Sequence, residues 1–298
     1  MKKFVLHTSL FILCVTASIL TIFSFADGSS DEFYLKLTTP KQENLILGTS
    51  KAAQGLQPKV LENVLDKKFY NFAFSLLASP YGKTYLTSIK NKLDRSTKGN
   101  IFILTIDPWS ICSLTQNSND SSYFRENKSF LYSVRNVNTS PNFYYLIHHF
   151  QGSYYKLIFN KSPAFLHNDG WLEVELVADN KDVERRTEFT VDDYREKLAS
   201  YRYSDVRFEY LKKTIDYLNI YGKVYLVRLP VHPALMEVEN TLMPNFDSVI
   251  QKAIEISDGY IDFSASNSEY KYIDGVHLNK ESGEKLSSAL GYWIKSRE

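Results

Sequence analysis

The sequence has few cysteines, and this limits how the folded chain can be held together. Of its 298 residues only Cys14 and Cys112 are cysteine, and Cys14 lies in an apolar stretch near the N-terminus. The remainder of the chain therefore offers Cys112 no partner for an internal disulfide. A hydrophobic core must stabilise the protein, and we expect Cys112 to be a small, buried, apolar side chain.

The chain also lacks an excess of charge and a cluster of metal ligands. Its formal net charge is +1, which implies no global attraction to nucleic acid, and we expect no nucleic-acid partner. His148 and His149 are a possible metal pair, but adjacent side chains project to different sides of a helix or strand. No second group of ligands supports them, so the sequence predicts neither a metal nor another cofactor.

The N-terminus begins with Lys2 and Lys3, followed by an apolar stretch over residues 4–25. This pattern is typical of an export signal, with small residues near Ala26 suited to cleavage. It is also long enough for an uncleaved membrane anchor, which needs about 20 apolar residues. Residues 1–26 are therefore a signal peptide or an anchor. Both interpretations place the rest outside the cytoplasm, secreted or periplasmic in one case and membrane-anchored in the other.

Residues 27–298 read as one domain in which apolar runs alternate with helical patterns. We predict strands at 45–47, 69–74, 101–106, 223–229 and 260–263, and helices at 58–65, from 80, at 192–220, at 244–256 and after 279. Such alternation predicts an α/β fold, a three-layer α/β/α sandwich with a mostly parallel sheet of about five strands. Residues 113–191 break the rhythm and form an insertion, with a hairpin near Asp169-Gly170. The insertion is either a lid over a site or a packing element.

One stretch combines the signals of a strand, a turn and a helix start. The apolar run 45–47 ends at Gly48, and Ser50 precedes a short helical segment. A serine at such a turn presents its hydroxyl beside free backbone N–H groups, which suits a nucleophile. Serine is also a common helix cap, and the stretch by itself fits both roles.

The sequence Asp274-Gly-Val-His277 precedes the last predicted helix. A serine nucleophile needs a base, and the base needs a carboxylate to orient it. Asp274 and His277 supply these two groups in a single turn. Taken alone, the same four residues are equally compatible with a solvated loop.

Together the two stretches resemble the SGNH, or GDSL-type, serine hydrolase family. That family has a Gly-Asp-Ser type of turn after its first strand and an Asp-x-x-His pair just before its last helix. Here the turn reads Gly48-Thr49-Ser50, and the pair is Asp274 and His277. The resemblance implies an SGNH-hydrolase-like, flavodoxin-like sheet, with Ser50 as nucleophile, His277 as base and Asp274 as its orienting partner.

The chain departs from the family pattern at three places. Thr49 replaces the usual acidic residue before the serine. The glycine that the family has after its second strand is absent from residues 71–75, and the asparagine after its third strand is absent from residues 105–110. Both normally donate to the oxyanion. We expect the backbone N–H groups of Ser50 and Lys51 to supply part of that function.

The resemblance implies an extracytoplasmic esterase or O-acyltransferase acting on an acylated carbohydrate, such as a cell-surface polysaccharide, or on a small ester. Because ligands bind at the carboxyl ends of parallel strands, we expect Lys51, Asp107, Ser110 and Arg228 to contact the substrate. The alternative is a catalytically inactive protein of the same fold that binds polysaccharide or assists assembly.

Overall fold

The computed structural model describes residues 1–114, 117–159, 162–176 and 179–298. The gaps at 115–116, 160–161 and 177–178 all fall within the expected insertion, so those parts of it lie outside the described residues. The strands are β1 (Asn44–Leu47), β2 (Phe69–Asn71), β3 (Asn100–Thr105), β4 (Cys112–Leu114), β5 (Ala164–Leu166), β6 (Leu172–Val174), β7 (Tyr201–Tyr203), β8 (Gly222–Arg228) and β9 (Gly259–Asp262). The helices are α1 (Lys2–Ser24), α2 (Ser50–Gly55), α3 (Pro58–Leu65), α4 (Lys83–Lys92), α5 (Phe130–Ser133), α6 (Phe143–His148), α7 (Lys156–Phe159), α8 (Asn180–Lys197), α9 (Asp205–Asn219), α10 (Pro233–Leu242), α11 (Phe246–Glu255) and α12 (Lys280–Lys295).

A parallel sheet organises the domain. Within the described part of the chain it has five strands in the order β2-β1-β3-β8-β9, and every pair in it is parallel. This is the 2-1-3-4-5 order of flavodoxin-like sheets. The prediction of an α/β fold with about five mostly parallel strands is confirmed.

Alternate residues of the strands enter two separate cores, as the two-residue period of a strand requires. One core packs under α2, α3 and α12, and its strand residues include Ile46, Ile101, Ile103 and Val227. The other packs under α4, α9 and α11, and its strand residues include Leu45, Phe102, Leu104 and Leu226. The sheet is therefore the middle of three layers.

The prediction of one long helix over 192–220 is wrong. The chain instead forms the end of α8, the short strand β7, and then α9. The Ser204 hydroxyl accepts a hydrogen bond from the Arg207 amide and caps α9. Strand β7 pairs antiparallel with β4, which supplies its backbone partners. Neither glycine nor proline marks this break, and helix α10 was also not anticipated.

Two antiparallel pairs lie outside the main sheet: β4, at the start of the insertion, pairs with β7 beyond its end, and β5 pairs with β6 within it. The second pair is the hairpin predicted near Asp169-Gly170. Its turn rests on the end of β2, where the Asn71 amide donates to the Asp169 carbonyl at 2.8 Å. The Cys112 side chain in β4 is buried, as expected.

The N-terminal stretch forms helix α1, which is long and apolar enough to cross a membrane. Its central window is not buried by the protein. Phe23, in the last turn, is only 4% exposed and belongs to the core on one side of the sheet. Side chains before and after residue 26 contact the domain. The predicted end of the leader at residue 26 is therefore not a point at which packing against the domain begins.

The turn between β1 and α2 requires glycine at position 48. Gly48 has φ +144°, and a Cβ atom there would lie 1.9 Å from Oγ1 of Thr105. An L-residue would meet both backbone strain and a collision with the neighbouring strand β3. The turn that carries Ser50 is thus fixed by close packing.

We expect Gly48→Ala to lower the free energy of unfolding by about 2–6 kcal/mol, since strain and overpacking each cost about 1–3 kcal/mol. Gly99→Ala is the matched control, because Gly99 has φ +72° and nothing within 4 Å of a built Cβ. The loss of stability in Gly99→Ala should therefore reflect backbone strain alone. Denaturant unfolding of the two variants measures the difference, and equal losses would contradict the packing explanation.

Candidate active site

Three side chains from opposite ends of the sequence form a continuous hydrogen-bonded chain. Ser50 is the first residue of α2, and Asp274 and His277 lie in the loop between β9 and α12. Oγ of Ser50 lies 2.9 Å from Nε2 of His277. Nδ1 of His277 lies 2.7 Å from Oδ2 of Asp274. The predicted proximity of the serine hydroxyl and the imidazole is confirmed.

The loop that carries Asp274 and His277 folds back on itself. The Ile273 amide donates to the His277 carbonyl at 2.9 Å, and the Asn279 amide donates to the Lys271 carbonyl at 3.0 Å. These bonds bring Asp274 and His277 out together at the tip of the loop. The side chain of Asn279 then caps α12.

The carboxylate determines which nitrogen of His277 carries the proton. An ionised carboxylate only accepts hydrogen bonds, so Nδ1 of His277 donates to Asp274. Nε2 is then free to accept the Ser50 proton. Oδ1 of Asp274 also accepts from the amides of Val276 and His277, at 3.0 and 2.9 Å. Burial would raise the pKa of Asp274, but these bonds outweigh burial and lower it.

The turn before Ser50 is held by two side chains that the sequence did not single out. The Gly48 amide donates to the hydroxyl of Tyr85 at 3.0 Å, and Oγ of Ser79 donates to the Gly48 carbonyl at 2.7 Å. Tyr85 reaches the turn from α4. A hydroxyl group that completes a distant turn leaves no pattern in the sequence around it.

Lys51 follows the serine and has a buried ionic environment. Its Nζ lies 2.5 Å from Oε1 of Glu239 in α10 and 3.1 Å from Oδ2 of Asp107 after β3. The side chains of Lys51 and Glu239 are 6% and 1% exposed. Burial would lower the pKa of Lys51, but the two carboxylates outweigh it and raise that pKa. Glu239 is a site residue that the sequence did not indicate.

Asp107, Ser110 and Arg228 are also occupied by protein partners. Asp107 caps the short 3-10 helix Pro108–Ile111, where Oδ1 accepts from the Ser110 amide at 2.9 Å. Nη2 of Arg228 lies 3.5 Å from Oε2 of Glu239, and Nη1 of Arg228 lies 3.5 Å from Oδ2 of Asp262. Each of these three side chains is buried.

The four residues expected to contact substrate therefore lie in the expected part of the fold but are buried. Lys51, Asp107, Ser110 and Arg228 lie at the carboxyl edge of the sheet, as strand order predicts, but beneath the surface. Burying charged groups is unfavourable unless they are paired, and here they pair largely with each other and with Glu239. Their internal bonds support the turn that carries Ser50, and direct contact with substrate stays a prediction.

The side-chain amides of Asn71 and Asn119 are engaged in hydrogen bonds within the protein. Nδ2 of Asn71, the last residue of β2, donates to the carbonyls of Ala52 and Leu56 at 2.8 and 2.9 Å and closes the end of α2. Nδ2 of Asn119 donates to Asp205 at 2.9 Å, at the start of α9. The first turn of a helix leaves its amides without intrahelical acceptors, so the N–H groups of Ser50 and Lys51 can donate to a group outside α2.

Two cavities adjoin the loop and the segment before β1. A cleft of about 860 Å³ runs between α8 and residues 270–273. A cavity of about 530 Å³ is lined by Glu32, Phe33, Phe130 and His149, among others. Desolvation and the neighbouring Asp31 raise the pKa of Glu32.

His148 and His149, the metal pair considered from the sequence, share the ring of Tyr144 as a neighbour but otherwise differ in their partners. Nε2 of His149 lies 2.6 Å from Oγ of Ser133, whereas the His148 ring packs 4.6 Å from Tyr144. Among the described residues, no group of three or more His, Cys, Asp or Glu side chains could hold a metal ion.

Comparison with protein-family models and with curated proteins finds no match to this chain.

We expect Lys51→Met to destabilise the protein by about 3–5 kcal/mol, because removing one member of a buried ion pair leaves the other charges unpaired. Lys59→Met is the matched control, since Lys59 pairs with Glu62 at 3.0 Å but is 70% exposed. Exposed pairs contribute about 0–1 kcal/mol. Denaturant unfolding compares the two, and similar small losses would show that the Lys51 cluster is not important for stability.

The pH dependence of stability in the variant Asp274→Asn tests the contribution of the Asp274 carboxylate. The pKa of Asp274 is lowered from 3.8 in the folded protein, so its stabilising contribution is complete above 3.8 and is lost as pH falls through the lower folded value. We expect the stability difference between wild type and Asp274→Asn to shrink in that acidic range. Ser50→Ala keeps the carboxylate and should follow the wild-type profile. A difference that stays constant on acidification would contradict the assignment.

Proposed function

We propose that the protein is an extracytoplasmic serine esterase or O-acyltransferase of the SGNH type. The supporting observation is the hydrogen-bonded series from Ser50 through His277 to Asp274, at 2.9 and 2.7 Å. A nucleophile, a base and an orienting carboxylate in that order are the requirements of acyl transfer through a serine. The serine and the Asp-x-x-His pair also occupy the positions at which the chain resembles that family.

The reaction begins when Oγ of Ser50 attacks the carbonyl carbon of an ester, while Nε2 of His277 takes the hydroxyl proton. The resulting tetrahedral intermediate collapses as the bond to the leaving alcohol breaks. His277 returns the proton to the oxygen of that alcohol. An acyl group is left on Ser50, and attack by water or by a sugar hydroxyl, assisted by the same imidazole, releases it.

Asp274 keeps the imidazole in the productive tautomer and stabilises the imidazolium that forms. The negative charge on the carbonyl oxygen is met by the N–H groups of Ser50 and Lys51. The loss of one oxyanion donor costs about 100- to 1000-fold in rate, so a site with these two donors alone would be slow on unactivated esters.

The proposed substrate is an acylated carbohydrate, such as a cell-surface polysaccharide, or a small ester. Helix α1 supports a location outside the cytoplasm, since it is apolar, long enough to span a membrane and begins with Lys2 and Lys3. The 14% aromatic content suits carbohydrate contact, although it also suits an ordinary core.

A non-catalytic protein of the same fold is the second candidate. The absence of the family's oxyanion asparagine from residues 105–110, after the third strand, favours it. In that case Ser50 is the first residue of α2 without a chemical role, and the protein binds polysaccharide or assists assembly.

We expect wild-type protein to hydrolyse an aryl acetate and Ser50→Ala to lose at least about 1000-fold of that activity, as removal of a triad member does. A fluorophosphonate should label Ser50. The matched control is Ser133→Ala, because Oγ of Ser133 lies 2.6 Å from Nε2 of His149, yet that ring has no carboxylate partner among the described residues.

Ser133→Ala should retain wild-type hydrolysis and labelling. Equal background rates from wild type and Ser50→Ala, together with no label on Ser50, would leave the non-catalytic candidate in place of the enzyme.

A further inference from the structure

Each of two short helices of the insertion, α6 and α7, carries apolar side chains on both its inward and its outward face. Their inward residues Tyr145, Leu146 and Leu157 are buried. Their outward residues, together with those of the connecting segment, form what we call the aromatic face: Phe143, Tyr144, Ile147, Tyr154, Tyr155, Ile158 and Phe159. Exposure across this face runs from 40% at Tyr154 to 77% at Phe159. The Tyr154 hydroxyl donates to the Leu146 carbonyl at 3.0 Å, which holds the two parts of the face together. A group of exposed apolar side chains of this kind indicates an interaction site.

The aromatic face is continuous with the last turn of α1. The ring of Phe23 lies 5.2 Å from that of Tyr154 and 6.0 Å from that of Phe143. Helix α7 packs against α1 as well. The 23 residues of α1 extend for about 35 Å, slightly more than the roughly 30 Å hydrocarbon core of a bilayer. The face therefore begins where a membrane-spanning α1 would leave the bilayer.

The chemistry of the face suits the boundary between lipid and water. Tyrosine combines an apolar ring with a hydroxyl and is enriched at that depth. Isoleucine and phenylalanine beside it supply apolar area, as in helices that lie in the plane of a membrane. A side chain packed on the final turn of a spanning helix is held near this boundary by geometry alone.

We propose that the aromatic face lies in the headgroup region of the membrane that α1 crosses, and holds the domain against the lipid surface. The inference rests on α1 and the insertion and does not depend on the chemistry of Ser50. The inward side of α6 is tied to the segment before β1, because the Tyr145 hydroxyl donates to Asp31 at 2.7 Å and both residues line the cavity of about 530 Å³.

Spin labels on the full-length protein in phosphatidylcholine–phosphatidylglycerol nanodiscs test the inference. One label replaces Ile147 (Ile147→Cys) and its matched control replaces Ile220 (Ile220→Cys). These isoleucines are 57% and 59% exposed, and Ile220 lies at the opposite, amino edge of the sheet, just before β8. A second pair is Tyr155→Cys and Tyr292→Cys. Cys14→Ala removes the exposed thiol, and burial raises the pKa of Cys112 to about 12, which leaves it unreactive.

Collision rates with dissolved oxygen and with a water-soluble nickel chelate report the depth of each label. We expect oxygen to dominate at positions 147 and 155 and nickel to dominate at 220 and 292, with a several-fold difference in the oxygen-to-nickel ratio within each pair. Circular dichroism confirms that each variant is folded. Equal ratios within both pairs would overturn the inference. Shielding of 147 and 155 from both reagents, with spin–spin broadening, would also overturn it and show that a second copy covers the face.

Discussion

The parallel pairing of β1, β3 and β8 is the constraint on which the candidate site depends. Leu47 pairs with Leu104, and Leu104 pairs with Leu226, so the three strands end at the same edge. The chain must therefore deliver Ser50, Asp107 and Arg228 to one region, although they are far apart in sequence. The ladder of backbone hydrogen bonds fixes their relative heights, and small local changes cannot separate them.

This edge places opposite charges in a buried layer. Lys51 lies between Asp107 and Glu239, and Arg228 lies between Glu239 and Asp262. Desolvation of so many charges is unfavourable, and only their close pairing offsets it. The arrangement also connects α2, β3, β8 and α10 through single side chains. Ser50 directly precedes Lys51 in the chain, so a movement of this segment would separate buried charges.

Two segments outside the sheet form a shared cavity. The N-terminal segment after α1 contributes Glu32, and the insertion contributes His149 and Phe130. The Phe33 ring packs 5.6 Å from Phe74 and 5.2 Å from Phe130, which joins these two segments above the strand edge. The same insertion carries the aromatic face. If that face contacts lipid as proposed, the site operates close to a membrane surface.

The sequence by itself determined the class of fold, the strand that leads into Ser50, and the two ends of the triad. These follow from local patterns: apolar runs at strand spacing, a glycine at a tight turn, and an aspartate three residues before a histidine. It also placed the hairpin at Asp169-Gly170. It did not reveal the break between α8 and α9, because β7 exists through its pairing with β4 rather than through its own composition.

Only the tertiary structure decided which polar groups meet. Glu239 lies within a helix that the sequence did not indicate, and Tyr85 and Ser79 reach the Gly48 turn from elsewhere in the fold. The sequence predicts that Lys51 and Arg228 contact substrate, yet both are buried because carboxylates from other elements lie against them. Such pairings depend on contacts between residues far apart in the chain, and local periodicity carries no information about them.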